Sequence, residues 1–343
     1  MLKLLKNQTL AVGKQLGLFR AAASSRWRQQ RLLILCYHGL SLKDEHKWRS
    51  LFMTPACFSS RMQTLERNAL NVLPLADATR MLFEGTLPPK SVVITFDDGH
   101  LSFYQEALPV LRAHGFPATV YQTSYYSDRP FPVFNLILDY MFWRESSKRL
   151  DGSRFGSSAT FSLSTEDERT KAVNAIVEFA NRRNYSACER DQLASGIAGE
   201  LQIDYAEIRR LGLMRLMTPE QVAEISAAGI DVQLHTHRHR TPLNEALFLR
   251  EIRENREWIA STTGGDATHF CYPNGAYRAE FLPWLRAESV VSATTCVTGL
   301  ATRRHDPLTL PRLLDSMDCT DIEFEAWLSG VSSVFPTRPG RGS

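Results

Sequence analysis

The sequence predicts an α/β fold in which parallel strands are covered by helices, closed as a barrel or spread as a doubly wound sheet. Three observations lead there. Wholly apolar or β-branched runs recur, such as Leu32-Leu33-Ile34-Leu35-Cys36-Tyr37 and Ser91-Val92-Val93-Ile94-Thr95-Phe96. Uninterrupted apolarity of this length is what a strand shows when both of its faces are covered. Helical patterns separate the runs, and several stop at a glycine (Gly85, Gly115, Gly229), the residue that most readily takes the left-handed conformation ending a helix.

Taken in order, the run at 32–37 is the first strand. Thr54-Pro55 reads as an N-cap with proline at the first helical position, and Phe58, Met62 and Leu65 follow at helical spacing. A helix over about 75–83 precedes the strand 91–96, and a helix ending at Gly115 precedes the strand 118–121. The rhythm resumes with a helix over 219–228 and a strand over 230–234. Helices at 244–262 and 278–288 then alternate with strands at 268–272 and 290–295. Residues 125–217 break the pattern. They hold an aromatic stretch from Phe131 to Trp143, a Gly/Ser-rich turn and two helical segments without a clear strand. We read them as a helical insertion over one end of the core. The aromatics there are more simply core than a platform for stacking on a ligand.

The domain of interest therefore runs over 31–331, after an arm at 1–30 and before a Pro/Gly/Arg-rich tail at 332–343 that is expected to fray. With 43% hydrophobic and 22% charged residues in 343, the chain is neither disordered nor a membrane bundle. The net charge of +3 conceals an asymmetry: Lys3, Lys6, Lys14, Arg20, Arg26, Arg28 and Arg31 stand in a segment without one acid, so the remainder is slightly acidic. Asn7, Gln8, Lys14 and Gln15 interrupt any signal-peptide apolar core. The segment 1–31 reads instead as a basic amphipathic helix with Leu5, Leu10, Val12, Leu16 and Phe19 on its apolar face. It would make a peripheral contact with an anionic membrane, or else pack on the body or fray as a terminus. Six cysteines without a C-x-x-C pair suggest free thiols in a reducing compartment, hence a cytoplasmic protein, peripheral at the inner membrane face. Nucleic-acid binding is unsupported, because the basic residues gather in one arm and no recognised binding module accompanies them.

Three motifs sit just after strands, at the edge where parallel α/β folds build active sites. In Thr95-Phe96-Asp97-Asp98-Gly99, two adjacent carboxylates end an apolar strand, and a cation or a shared proton would relieve their repulsion. His235-Thr236-His237-Arg238-His239 places His235 and His239 four apart, able to converge on one side of a turn, while His237 points away. Phe270-Cys271-Tyr272-Pro273-Asn274-Gly275 closes a strand in a Pro/Gly turn. One Asp with two His leaves positions open on a metal, the mark of a catalytic rather than a structural site. The second Asp is then placed to take a proton from water, the layout of metal-assisted hydrolysis. Thr236 would orient the His loop. His46, His100, His114, His269 and His305 have no partner pattern.

These motifs, in this order, resemble the polysaccharide deacetylases, the NodB-homology enzymes of carbohydrate esterase family 4. The resemblance covers roughly residues 31–125 and 215–315. It implies a distorted (β/α) barrel of parallel strands and removal of N-acetyl groups from amino sugars of a polysaccharide or lipid-linked glycan. By matching positions it makes Asp97 the general base, and Asp98, His235 and His239 ligands of a divalent metal, usually zinc. The oxyanion would be held by the metal and by a backbone N–H near Tyr272, with Tyr272 and Pro273 as the substrate and oxyanion residues.

Two departures follow. Many members carry an arginine where this chain has Cys271, and many end in Leu-x-His where it reads Leu308-Thr309-Leu310-Pro311-Arg312-Leu313. Arg312 is the candidate to brace Asp97. His38, in a Cys36-Tyr37-His38-Gly39 sequence like the Tyr-His of exopolysaccharide-modifying members, is the candidate general acid. Two alternatives stay open: a non-catalytic glycan-binding protein that keeps the fold, and a metal-dependent amidase for another small molecule.

Overall fold

In the computed structural model, which describes residues 2–334, β1 (Leu33–Tyr37) pairs in parallel with two strands at once. Because the second pairing joins the two ends of the strand order, the sheet closes on itself as a barrel and is not open. The strands are β1, β2 (Asn71–Val72), β3 (Ser91–Phe96), β4 (Thr119–Gln122), β5 (Arg149–Asp151), β6 (Thr160–Ser162), β7 (Asp231–Leu234), β8 (His269–Cys271), β9 (Ser292–Thr298) and β10 (Leu310–Leu314). Seven of them close a parallel ring in the order β1-β10-β9-β8-β7-β4-β3 and back to β1. The two-residue β2 adds only to the start of β3, and the β9–β10 register shifts between Leu310 and Arg312. The barrel is therefore short and uneven, a distorted (β/α) barrel.

Strand alternation assigns the two faces. Leu33, Leu35, Tyr37, Val92, Ile94 and Phe96 belong to a large cluster with the surrounding helices. Ile34, Val93, Tyr121, Cys271 and Leu310 form a second, smaller cluster with the helix Leu75–Glu84. Carrying the inward alternation to the C-terminal strand ends brings Cys36, Thr95, Asp97, His235, Cys271 and Arg312 to one end of the interior. Apolar residues fill the barrel below, and polar ones crown it. The covering helices start where their caps dictate. Thr54 accepts the Cys57 N–H ahead of Pro55–Arg67, Thr218 and Gln221 form a capping box for Pro219–Ala227, and Asn244 caps Glu245–Thr263.

Residues 125–217 differ from the sequence reading. They contain four helices (Phe134–Arg144, Glu166–Arg182, Ala187–Glu200, Tyr205–Leu211) and the antiparallel hairpin β5–β6, rather than two helical segments alone. Their own core includes Ile137, Tyr140, Phe142, Leu150, Ile176 and Ile197, so these aromatics are packing residues.

The arm also differs. It forms the helices Leu2–Gln15, Leu18–Ser24 and Arg26–Gln29, but the expected apolar face is divided. Leu10 (1% exposed) and Phe19 turn inward onto Ile322 and Ala326, whereas Leu5, Val12 and Leu16 (73% exposed) face solvent. Three of the cations reach toward the body. Lys6 pairs with Glu323 at 2.9 Å, Lys14 with Glu325, and Lys3 donates to the Asp318 carbonyl at 2.6 Å. Amphipathic spacing fixes which residues share a helix face but not which face meets the protein; here the acidic helix Asp321–Ser329 attracts the basic side.

Most of the tail expected to fray, residues 335–343, lies outside the described residues; Val331–Val334 form a 3-10 turn. Among the described residues no helix is long and apolar enough to cross a membrane.

Candidate active site

Where β3 ends, Asp98 and Gly99 both adopt positive φ (71° and 84°), folding the chain sharply back over the barrel mouth. Aspartate tolerates this conformation. At residue 99 only glycine serves, because a Cβ would also collide with the Gln122 amide. The turn sends the two carboxylates to different tasks.

Asp98 faces the His loop after β7. Its Oδ1 lies 3.2 Å from His235 Nε2 and 3.1 Å from His239 Nε2, so three ligand atoms converge on one point. The tautomer of His235 is fixed: its Nδ1 donates to the Cys271 carbonyl at 2.9 Å, which leaves Nε2 as the lone-pair atom. Its backbone N–H donates to Asn255 Oδ1 (2.9 Å), and the Asn255 amide donates in turn to the Gln122 carbonyl (3.0 Å) and Ser124 Oγ (2.9 Å). Thr236 and His239 take positive φ, and Thr236 Oγ1 accepts the Arg240 N–H at 3.0 Å, closing the loop. His237 turns away, with Nδ1 2.8 Å from Ser124 Oγ. Burial disfavours charge on Asp98, but the surrounding imidazoles, His239 foremost, outweigh it and hold the carboxyl well below its ordinary value. His239 is correspondingly raised: burial opposes its charge and Asp98 prevails.

Asp97 points inward and is 3% exposed. Arg312, 1% exposed and reaching across from β10, grips it with both ends of its fork: Nη1–Oδ1 2.7 Å and Nη2–Oδ2 2.8 Å. The remaining guanidinium N–H groups go to the Thr295 carbonyl (3.1 Å), Thr95 Oγ1 (3.2 Å) and Cys271 Sγ (3.1 Å), so all five donors are satisfied. Cysteine at 271 leaves room for that fork, which a second arginine would fill. The Cys36 and Cys271 thiols approach the same Asp97 oxygen at 3.5 and 3.4 Å. Burial pushes both thiols well up, so they stay protonated and can donate. Burial alone would raise Asp97, yet Arg312 overrides it and holds the carboxyl far below its usual range.

His38 follows β1, with Nε2 4.0 Å from Asp97 Oδ2 and its buried Nδ1 without a partner among the described residues. Burial lowers its pKa despite Asp97 and Asp98, so it rests neutral. At Tyr272 and Pro273 the backbone is already engaged. The Tyr272 N–H continues the ladder to the Thr294 carbonyl at 3.3 Å, its hydroxyl donates to the Leu308 carbonyl at 3.0 Å, and proline has no N–H. As the chain stands, neither offers a free backbone donor to an oxyanion. Strand register decided this, and the motif alone does not reveal register.

The sequence reading also passed over His100, whose Nε2 lies 3.3 Å from Asp98 Oδ2. Its place directly after Asp-Asp-Gly was the available signal.

The profile of the polysaccharide deacetylase family matches residues 84–291, more than half of the chain. The chain belongs to that family. A curated relative, the poly-beta-1,6-N-acetyl-D-glucosamine N-deacetylase of Staphylococcus epidermidis, is 25% identical over 187 residues, 48% of this chain and 64% of that protein. YxkH of Bacillus subtilis is 37% identical over 92 residues, 26% of this chain and 31% of that protein. The chain thus spans less than two thirds of either curated relative it matches. Among solved structures, the Streptococcus pyogenes deacetylase PplD, in complex with acetate, superposes with a TM-score of 0.57 at 16% identity, covering 85% of this chain and 96% of that one. At that identity the likeness concerns the fold. The family match contains Asp97, Asp98, His235 and His239; His38 and Arg312 lie outside it yet both approach Asp97.

The donor set of Asp98, His235 and His239 suits a divalent cation: one carboxylate oxygen and two imidazole nitrogens converge, with one tautomer already fixed. Two other groupings, Cys36/His38/Asp97 and Asp97/His235/Cys271, both use Asp97. Arg312 occupies both oxygens of that residue, and a cation there would meet the guanidinium charge.

Proposed function

We propose that this family member is a divalent-metal-dependent hydrolase, with zinc as the metal, that removes N-acetyl groups from amino sugars of a polysaccharide or lipid-linked glycan. The observation that carries the proposal is the convergence of Asp98, His235 and His239 beside a second, separately anchored carboxylate and a neutral histidine. The Staphylococcus epidermidis relative, named for N-deacetylation of an N-acetylglucosamine polymer, supports the substrate class.

A divalent ion held by the triad would polarise the acetamide carbonyl and acidify water at neutral pH. Around it the chain's residues divide the proton work. Asp97 accepts the proton of the attacking water, and Arg312 fixes the orientation of its carboxylate. His38, neutral at rest and 4.0 Å from Asp97, takes over the proton that Asp97 accepted from water and passes it to the leaving nitrogen as the carbon–nitrogen bond breaks, giving a free amine and acetic acid, which ionises to acetate. A panel of acetylated oligosaccharides and lipid-linked amino sugars, assayed for acetate, tests the substrate class. Lack of release from every member would overturn it.

Replacing His38 with alanine is expected to lower kcat by about 10²–10⁴-fold with metal content unchanged. An unaltered kcat would remove His38 from the mechanism.

We also propose peripheral membrane contact through the arm, at the inner face in a reducing compartment, as the free thiols support. The outward Leu5, Val12 and Leu16 would make that contact, since Lys6 and Lys14 are already paired with glutamates. The double substitution Leu5→Ser/Leu16→Ser should weaken partitioning onto phosphatidylglycerol/phosphatidylethanolamine vesicles by about 10–100-fold. Unchanged partitioning would leave the arm a packing element only.

A further inference from the structure

We propose that His100 is a positioning residue for the metal site: it holds Asp98 Oδ2 and so keeps Oδ1 turned toward His235 and His239. The inference rests on the reading of those three residues as metal ligands. It concerns a side chain that none of the three motif assignments includes.

The geometry is specific. A carboxylate ends in a broad, roughly two-fold torsion, so an aspartate bound at one oxygen can rotate its ligand atom away at little cost. Here each oxygen has its own environment. Oδ1 lies 3.2 and 3.1 Å from the His235 and His239 Nε2 atoms, while Oδ2 lies 3.3 Å from His100 Nε2. An ionised carboxylate only accepts, so the His100 Nε2–H is the donor.

His100 is itself held. It is 4% exposed, and Phe52 packs edge-on against its ring at a centroid distance of 5.3 Å. Its backbone is clamped from the far end of the insertion: Leu101 N–H donates to the Arg215 carbonyl (2.9 Å), Met217 N–H to the Gly99 carbonyl (2.9 Å), and His100 bridges Leu216. The segment 215–217 thereby fixes the turn that aims the imidazole. Partners of this outer kind orient ligating groups, and their loss typically weakens metal affinity 10–100-fold.

The test is zinc affinity of chelator-stripped full-length protein, measured by competition with a chromophoric chelator, alongside melting of the metal-free forms. His100→Gln can place a donor near the original Nε2, whereas His100→Asn places it about one bond short. The inference predicts wild-type-like affinity for the Gln variant. For the Asn variant and for His100→Ala it predicts a 10–100-fold loss, with Gln and Asn melting alike. Equal zinc affinity for the Gln and Asn variants, or wild-type affinity for a folded Ala variant, would overturn it. If wild type binds no zinc, or Asp98→Ala binds as tightly as wild type, the triad reading fails and this inference with it. Tight wild-type binding abolished by Asp98→Ala, with His100 variants unaffected, would refute the role of His100 alone.

Discussion

Arg312→Met is expected to destabilise the protein by about 3–5 kcal/mol, the cost of leaving one member of a buried ion pair without the other. Both Asp97 oxygens and all five guanidinium donors are engaged in the native site, so methionine would strand a carboxylate that is 3% exposed. Arg312→Lys should recover little, because an ammonium cannot reproduce the planar two-point grip. Activity should fall about 10²–10⁴-fold, since the base loses its orientation. The pH dependence gives a signed check. In wild type Asp97 is depressed, so its contribution to stability is complete above the ordinary carboxylate range and persists well below it, disappearing only as pH falls through the folded value. Without Arg312, burial raises Asp97, and protonation then favours the folded state. The stability deficit of Arg312→Met should therefore be largest near neutrality and narrow as pH drops toward about 4. Asp97→Asn added to Arg312→Met should recover part of the loss, a coupling that a double-mutant cycle in urea would measure. A deficit under about 1 kcal/mol, flat with pH, would contradict this account of the pair.

Asp98→Ala should abolish zinc retention and lower acetate release by at least about 10³-fold, which corresponds to roughly 4 kcal/mol of transition-state stabilisation. Asp98 is the common partner of both imidazoles, and no other carboxylate in the triad can replace its oxygen. Millimolar zinc should not restore the variant. His235→Ala should behave similarly, because its Nε2 is the ligand atom whose tautomer the Cys271 carbonyl fixes. Metal content by elemental analysis together with acetate release checks both. A variant that keeps zinc and turnover would dismiss the triad.

What the sequence made legible was local. Asp97, Asp98, His235 and His239 announce themselves because each pair lies within five residues and directly follows a buried strand, so composition and position speak together. Arg312 was reachable only as a candidate. Its partner is 215 residues away, and the contact exists because alternation along β10 turns the guanidinium into the barrel beside a small Cys271. His100 was missed because a single histidine after a turn carries no periodicity. Whether the Tyr272 N–H is free depends on the register of the neighbouring strand, which the motif does not reveal. In the insertion, Arg149–Asp151 and Thr160–Ser162 are too short for a two-residue period to register. The arm was read as amphipathic, but its facing was set by Glu323 and Glu325, which stand more than 300 residues later. The barrel itself was legible as repeated strand-then-helix order, whereas its closure through β1–β3 was expected from family resemblance and not from the strand pattern.

The most direct test of the central claim is acetate release from an N-acetylglucosamine oligosaccharide by the full-length protein, measured before chelation, after chelation and after zinc is returned. The account predicts release, then loss, then recovery, with Asp98→Ala inactive at all three stages. Release that chelation leaves untouched, or recovery in Asp98→Ala equal to wild type, would contradict it.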